Sequence, residues 1–72
     1  MTFTEHAKQK GIDLLKDDRM YLINLMRQVP ADTCKHLLRR YVEVWLENMG
    51  DAKSQNRGRR AANEWVLSML QK

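Results

Sequence analysis

The chain has 72 residues, with 13 lysines and arginines against nine aspartates and glutamates, and one cysteine. This length predicts a single helical domain, 1–72, near the lower limit at which one hydrophobic core outweighs chain entropy. The lone cysteine excludes an intramolecular disulfide, and with no signal-peptide pattern or long apolar run it predicts a cytoplasmic protein that is neither secreted nor membrane-spanning.

Apolar residues recur at helical spacing along the whole chain, without the alternation typical of strands, so the sequence predicts an all-α fold. We expect a small bundle of three main helices, at about 12–29, 32–49 and 56–71, completed by dimerisation. Residues 1–10 have little apolar face, although Thr2 and Glu5 have the spacing of a capping box. These ten residues are expected to form a frayed or a short amphipathic arm.

The first main helix, 12–29, has an apolar side that charged residues interrupt. That side is formed by Ile12, Leu15, Leu22, Met26 and Val29. Asp18 and Arg19 fall inside the same arc. Either the helix breaks there with Asp17 as a new N-cap, or it continues with those charges at its edge; we favour the break. Pro30 then ends the element, because the residue before a proline avoids helical backbone angles.

The second main helix, 32–49, is apolar over about 200° of its circumference, twice the stripe that a surface helix needs. Asp32 suits the first turn, and Gly50 is the expected stop at the C-terminal end. Arg39 and Arg40 both lie within one turn of Glu43, so we expect these charges to pair on a solvated face.

The third main helix, 56–71, has three candidate caps: Asp51, Ser54 and Asn56. Gly58 is a poor residue for a helix interior, yet it projects onto the centre of the apolar arc. This position indicates either the close approach of another helix or a helix that begins after the glycine. Arg59 would then lie at the margin of a packed surface, free to pair with a carboxylate such as Glu47.

The surplus of apolar surface predicts a homodimer or a groove for a partner, because a lone three-helix chain would leave part of these faces wet. The alternative is that Trp45 and Trp65 both sit in one monomeric core. The candidate dimer or partner interface comprises Leu37, Tyr41, Val44, Trp45, Gly58, Arg59 and Trp65.

Residues 53–60 hold four basic residues and no acid, in a chain whose formal net charge is +4. On a helical projection Lys53, Arg57 and Arg60 share one side, whereas Arg59 lies roughly 100° or more away. Several cations on one face favour contact with backbone phosphates, so these three are candidate phosphate-binding residues. The alternative is a solvated cluster, in which Glu64 partly neutralises Arg60.

Residue spacing argues against catalytic and metal chemistry. Cys34 and His36 point about 200° apart on a helix, so they are badly placed to share an ion or to act as nucleophile and base. The sequence has no phosphate-binding loop, and capping explains its adjacent carboxylates, Asp17 and Asp18. We therefore predict no metal, no cofactor and no enzymatic activity.

The segment NRGRRAANEWVLSML, which follows a helix of the type LLRRYVEVWLE, resembles the C-terminal part of short all-helical proteins from early and accessory regions of temperate phages and prophages. The resemblance covers the second half of the chain. It implies an accessory or regulatory protein that acts in the bacterial cytoplasm by binding a host or phage protein, here as a homodimer. The alternative, from the basic residues, is a dimeric nucleic-acid-binding protein.

Overall fold

The computed structural model describes residues 2–51 and 53–70, and the regular structure in these two ranges is entirely helical. Four helices follow one another along them: α1 (Phe3–Gln9), α2 (Lys16–Met26), α3 (Ala31–Asn48) and α4 (Gln55–Leu70). The predicted all-α class is confirmed. The predicted count of three main helices is wrong for the described chain, because a short helix precedes the others and the first main helix starts later than expected.

The N-terminal residues form a helix that packs on the rest of the chain. The Thr2 hydroxyl accepts a hydrogen bond from the Glu5 amide at 3.2 Å, which caps α1 as the spacing of these residues predicts. Ala7 is completely buried, and the Phe3 ring stands edge-on to Tyr41 with 6.4 Å between ring centroids. Gly11, at φ +86°, ends this segment in a left-handed conformation that suits glycine.

The helix predicted at 12–29 is shorter than expected, because α2 spans only Lys16–Met26. Residues 12–15 are not helical, and α2 begins at Lys16 with Leu15 as its N-cap, so the predicted break with Asp17 as a new N-cap is wrong. Asp18 sets this start, since its carboxylate accepts a hydrogen bond from the Leu15 amide at 3.0 Å. At the other end the chain leaves the helix three residues before Val29, the residue next to the proline.

Helices α3 and α4 form an antiparallel hairpin whose bounds agree with the predicted ones to within one residue, apart from residue 71, which lies outside the described ranges. Gly50 has φ +75° and turns the chain out of α3, as predicted for a glycine stop. Of the three candidate caps, Ser54 supplies the oxygen that accepts from the Arg57 amide, at 3.4 Å.

The core is built mainly on α3, with contributions from every other helix. Trp45 is fully buried in it, and Trp65 packs against it half-buried. The buried apolar side chains are Ala7, Ile12, Leu22, Tyr41, Val42, Val44, Trp45, Met49, Ala62 and Val66. Much of the apolar arc of α3 that exceeds an ordinary stripe is therefore covered by α1, α2 and α4 of the same chain.

Candidate functional site

A polar network around the buried Asp18 and the half-buried Arg59 joins the start of α2 to α4. The Arg59 guanidinium donates to the Asp18 carboxylate at 2.7 Å, to the Asp13 carbonyl at 2.8 Å and to the Asn56 amide oxygen at 2.7 Å. It also lies over the Trp45 ring, 5.1 Å from the centroid, where the ring face attracts a cation. This network ties Arg59 to the packing of the chain.

Arg59 pairs with a carboxylate of another helix, as expected, but the residue is Asp18 and not Glu47. Glu47 instead accepts from Arg40 at 3.0 Å, and Arg40 also makes the predicted pair with Glu43 at 2.8 Å. Arg59 reaches Asp18 because α4 packs beside the start of α2. Arg59 and Asp18 are 41 positions apart in the sequence, so no local sequence pattern could have predicted their pairing.

Gln55 is a second structural residue that the sequence did not indicate. Its side-chain oxygen accepts from the Trp45 indole and from the Asp13 amide, each at 3.0 Å. Its amide nitrogen donates to the Gly11 carbonyl at 2.8 Å. One side chain at the start of α4 thus holds the α1–α2 connection and the central tryptophan together.

The predicted interface residues are divided between the core and the surface. Tyr41, Val44, Trp45 and Gly58 are buried inside the chain, where a partner cannot reach them in this conformation. The Tyr41 hydroxyl donates to the Asn63 side chain at 2.6 Å, and burial, helped by the negative charge of Asp18, raises the pKa of this phenol. The other three predicted residues, Leu37, Arg59 and Trp65, are half-buried.

A concavity of about 520 Å³ lies between the start of α1, the outer face of α2 and the first half of α3. We call it the apolar groove. Its apolar lining consists of Phe3, Met20, Leu22, Ile23, Met26, Cys34 and Leu38. Ile23 and Met20 are 55% and 49% exposed, the two highest values among the large apolar side chains of the described residues.

The edges of the apolar groove are basic. Lys16 and Arg19 line it on the α2 side. A shallower hollow of about 420 Å³ adjoins it across Phe3 and adds Lys35, Arg39 and His6 from α3 and α1. Among the described residues, every charged side chain that lines either hollow is therefore basic. We call Lys16, Arg19, Lys35 and Arg39 the basic rim.

The three candidate phosphate-binding residues lie away from this groove, at the start of α4. Lys53, Arg57 and Arg60 are all exposed, and Lys53 stands in the preceding turn with φ +51°. Arg60 pairs with Glu64 at 3.4 Å, as predicted, with both side chains largely in solvent. The Arg57 guanidinium folds back toward Gly50. A Cβ atom added to Gly50 would lie 3.4 Å from Nη1 of Arg57.

The described residues contain no group of three or more His, Cys, Asp or Glu side chains that could hold a metal ion. None of the helices in residues 2–51 and 53–70 has the length and apolar content that a membrane crossing needs. Cys34, half-buried, lines the apolar groove.

Comparison of the chain with profiles of protein families, with curated protein sequences and with solved structures finds no match. The resemblance to helical phage proteins stays a prediction.

Proposed function

We propose that this protein is a small helical interaction module that acts by holding another protein in the apolar groove, and not by catalysing a reaction. The observation that carries the proposal is the exposure of Ile23 and Met20 together in one concave surface. A large apolar side chain gains about 1.5–3 kcal/mol when it is fully buried. Ile23 and Met20 are half-exposed in one groove, so a partner that covers both would gain part of this free energy on binding.

The role that fits such a module is accessory or regulatory, as the resemblance to phage and prophage proteins implies. The chain would alter the activity of a host or phage protein in the bacterial cytoplasm by contact. A groove open along one side suits a protruding segment of a folded protein, since side chains can enter it without any rearrangement of the core.

Photo-crosslinking tests the proposal. A photoreactive side chain placed at position 20 should capture a distinct protein from a lysate of the bacterial host. Ile23→Asn should abolish that capture, whereas Leu46→Asn should leave it intact, because Leu46 is also exposed but lies outside the groove. Both substitutions are at exposed positions and should change stability little. Equal capture by both variants would refute the proposal.

The homodimer predicted from the sequence stays a prediction, but its interface cannot consist of all the residues that were predicted for it. Tyr41, Val44 and Trp45 are part of the core, so a dimer would use surfaces such as those of the half-buried Leu37 and Trp65. Sedimentation equilibrium checks the prediction directly. A mass of one chain at every concentration would contradict the dimer and leave the proposed binding module intact.

Nucleic-acid contact is a second candidate function, favoured by one observation. Lys53, Arg57 and Arg60 are exposed, and the first turn of α4 carries no acidic residue, so the pairing of Arg60 with Glu64 neutralises only part of the cluster. Fluorescence anisotropy with a labelled DNA duplex should then show affinity that falls steeply with salt, and Arg57→Ala with Arg60→Ala should flatten that dependence. Absence of binding at low salt would eliminate this candidate.

A further inference from the structure

We infer that the segment held in the apolar groove is an acidic amphipathic helix of another protein. The inference rests on the proposed function and names the chemistry of its partner. Two features of the surface lead to it: the arrangement of the apolar side chains along α2, and the sign of the charges on both sides of them.

The apolar groove has the dimensions of a helix-binding surface. The groove-lining residues of α2 are at positions 16, 19, 20, 22, 23 and 26, and positions 16, 19, 20, 23 and 26 among them repeat at helical spacing along its full length. Eleven residues of helix extend about 16 Å, which a partner helix of about three turns would match. Such a helix would present apolar side chains at i, i+3 or i+4 and i+7 to Met20, Ile23 and Leu38.

The charges select the partner. Lys16 and Arg19 stand on the α2 side and Lys35 and Arg39 on the α3 side, so cations flank the apolar lining on two sides. The ion pairs of the described chain use Arg40, Arg59 and Arg60, which leaves the basic rim facing solvent. A helix with glutamates or aspartates beside its apolar stripe would complement this rim and be steered toward it.

A second copy of this chain fits the groove less well. Packing groove against groove would bring two basic rims together, and like charges placed opposite one another disfavour an interface. A nucleic acid would meet the cations, but its phosphates gain nothing from the apolar lining between them. An acidic amphipathic helix is the partner that satisfies both the lining and the rim.

Three peptides of equal length test the inference with the full chain. The first has a leucine stripe at helical spacing flanked by glutamates, the second has lysines in place of the glutamates, and the third has the composition of the first with the leucine spacing scrambled. Anisotropy of the labelled peptides measures binding. The rate of modification of Cys34, the only cysteine, reports whether a peptide occupies the groove.

The acidic peptide should bind best, protect Cys34 and lose affinity as salt rises, since exposed charges are screened. Arg19→Glu should weaken its binding about fivefold or more, because one attraction is replaced by one repulsion. Arg27→Glu makes the same change at the exposed residue that directly follows α2 and does not line the groove, and it should have little effect beyond the change in net charge. Circular dichroism verifies that each variant is folded.

Other outcomes would overturn the inference in distinguishable ways. Equal or tighter binding of the lysine peptide, still abolished by Ile23→Asn, would refute the acidic partner and keep the proposed function. Displacement of the acidic peptide by a DNA oligonucleotide would assign the groove to nucleic acid. A dimer in sedimentation that Ile23→Asn dissociates would assign it to a second copy. If no peptide binds, the inference fails, and photo-crosslinking still decides the proposed function.

Discussion

Replacing Gly58 by alanine should destabilise this protein, although the same change stabilises most helices. In a helix interior alanine is favoured over glycine by about 1 kcal/mol. Here the added Cβ would lie 2.6 Å from the Trp45 carbonyl oxygen and 2.8 Å from the indole nitrogen, and it would also overlap Cδ1 of the same ring. Contacts of this kind require α3 and α4 to separate or the ring to move.

The magnitude follows from what holds Trp45 in place. Its ring is completely buried, its indole nitrogen donates to Gln55, and Arg59 covers one face. Overpacking a well-filled site costs about 1–3 kcal/mol, and disturbing the indole hydrogen bond adds about 1 kcal/mol. After subtraction of the gain in helix propensity, the free energy of unfolding should fall by about 2 kcal/mol. For a chain of this size the melting temperature would drop by about 10 °C.

Urea and thermal unfolding, followed by circular dichroism and tryptophan fluorescence, measure the effect. Ser68→Ala is the matched control, because Ser68 is exposed on the same helix and the substitution changes only helix propensity. That variant should be unchanged or slightly more stable. If Gly58→Ala were stabilised as much as Ser68→Ala, the close packing of α4 on Trp45 would be refuted.

Two further predictions concern polar groups of the core. Asp18→Asn keeps an oxygen for the cap of α2 but removes the charge that pairs with Arg59. Because the Asp18 and Arg59 side chains are only 6% and 17% exposed, the free energy of unfolding, measured in urea, should fall by about 2–3 kcal/mol. The exposed neighbour Asp17→Asn should stay within about 0.5 kcal/mol of the parent, and equal losses in the two variants would contradict a buried pair. Burial raises the pKa of Tyr41 in the folded chain, so above a pH of about 10 the phenol loses its proton in the unfolded chain but keeps it in the folded one. The free energy of unfolding should therefore fall above that pH, by up to about 1.4 kcal/mol per pH unit from this group. Tyr41→Phe removes that contribution, so parallel pH profiles of stability for parent and variant would disprove it.

The second half of the fold was predictable because its signals are local. Helix α3 has a long apolar arc between Pro30 and Gly50, two residues whose backbone preferences mark helix ends wherever they occur. The position of Gly58 on the apolar face indicated either the close approach of another helix or a helix that begins after it, and the structure shows the first, with Trp45 as the neighbour and α4 beginning at Gln55.

The first half was predicted less well because the residues that determine it act at a distance. The charges of Asp18 and Arg19 disturb the periodicity of α2, and the reason for Asp18 is its pairing with Arg59 on another helix. Helix α1 has few apolar residues, so its packing through Phe3 and Ala7 leaves a weak periodic signal. With α1 and α2 misjudged, the apolar arc of α3 was attributed to a dimer interface.

The sequence by itself determined the helical class, the bounds of α3 and α4 to within one residue over the described chain, and the exposure of Lys53, Arg57 and Arg60, since these depend on periodicity and on backbone preferences within a few residues. Only the tertiary structure decided which apolar surface is covered and which is open. It buries Trp45 and Tyr41 within the chain and leaves Ile23 and Met20 exposed in a groove with a basic rim. The physical reason is that side chains from three helices form the groove, and no local sequence pattern determines how those helices are placed relative to one another.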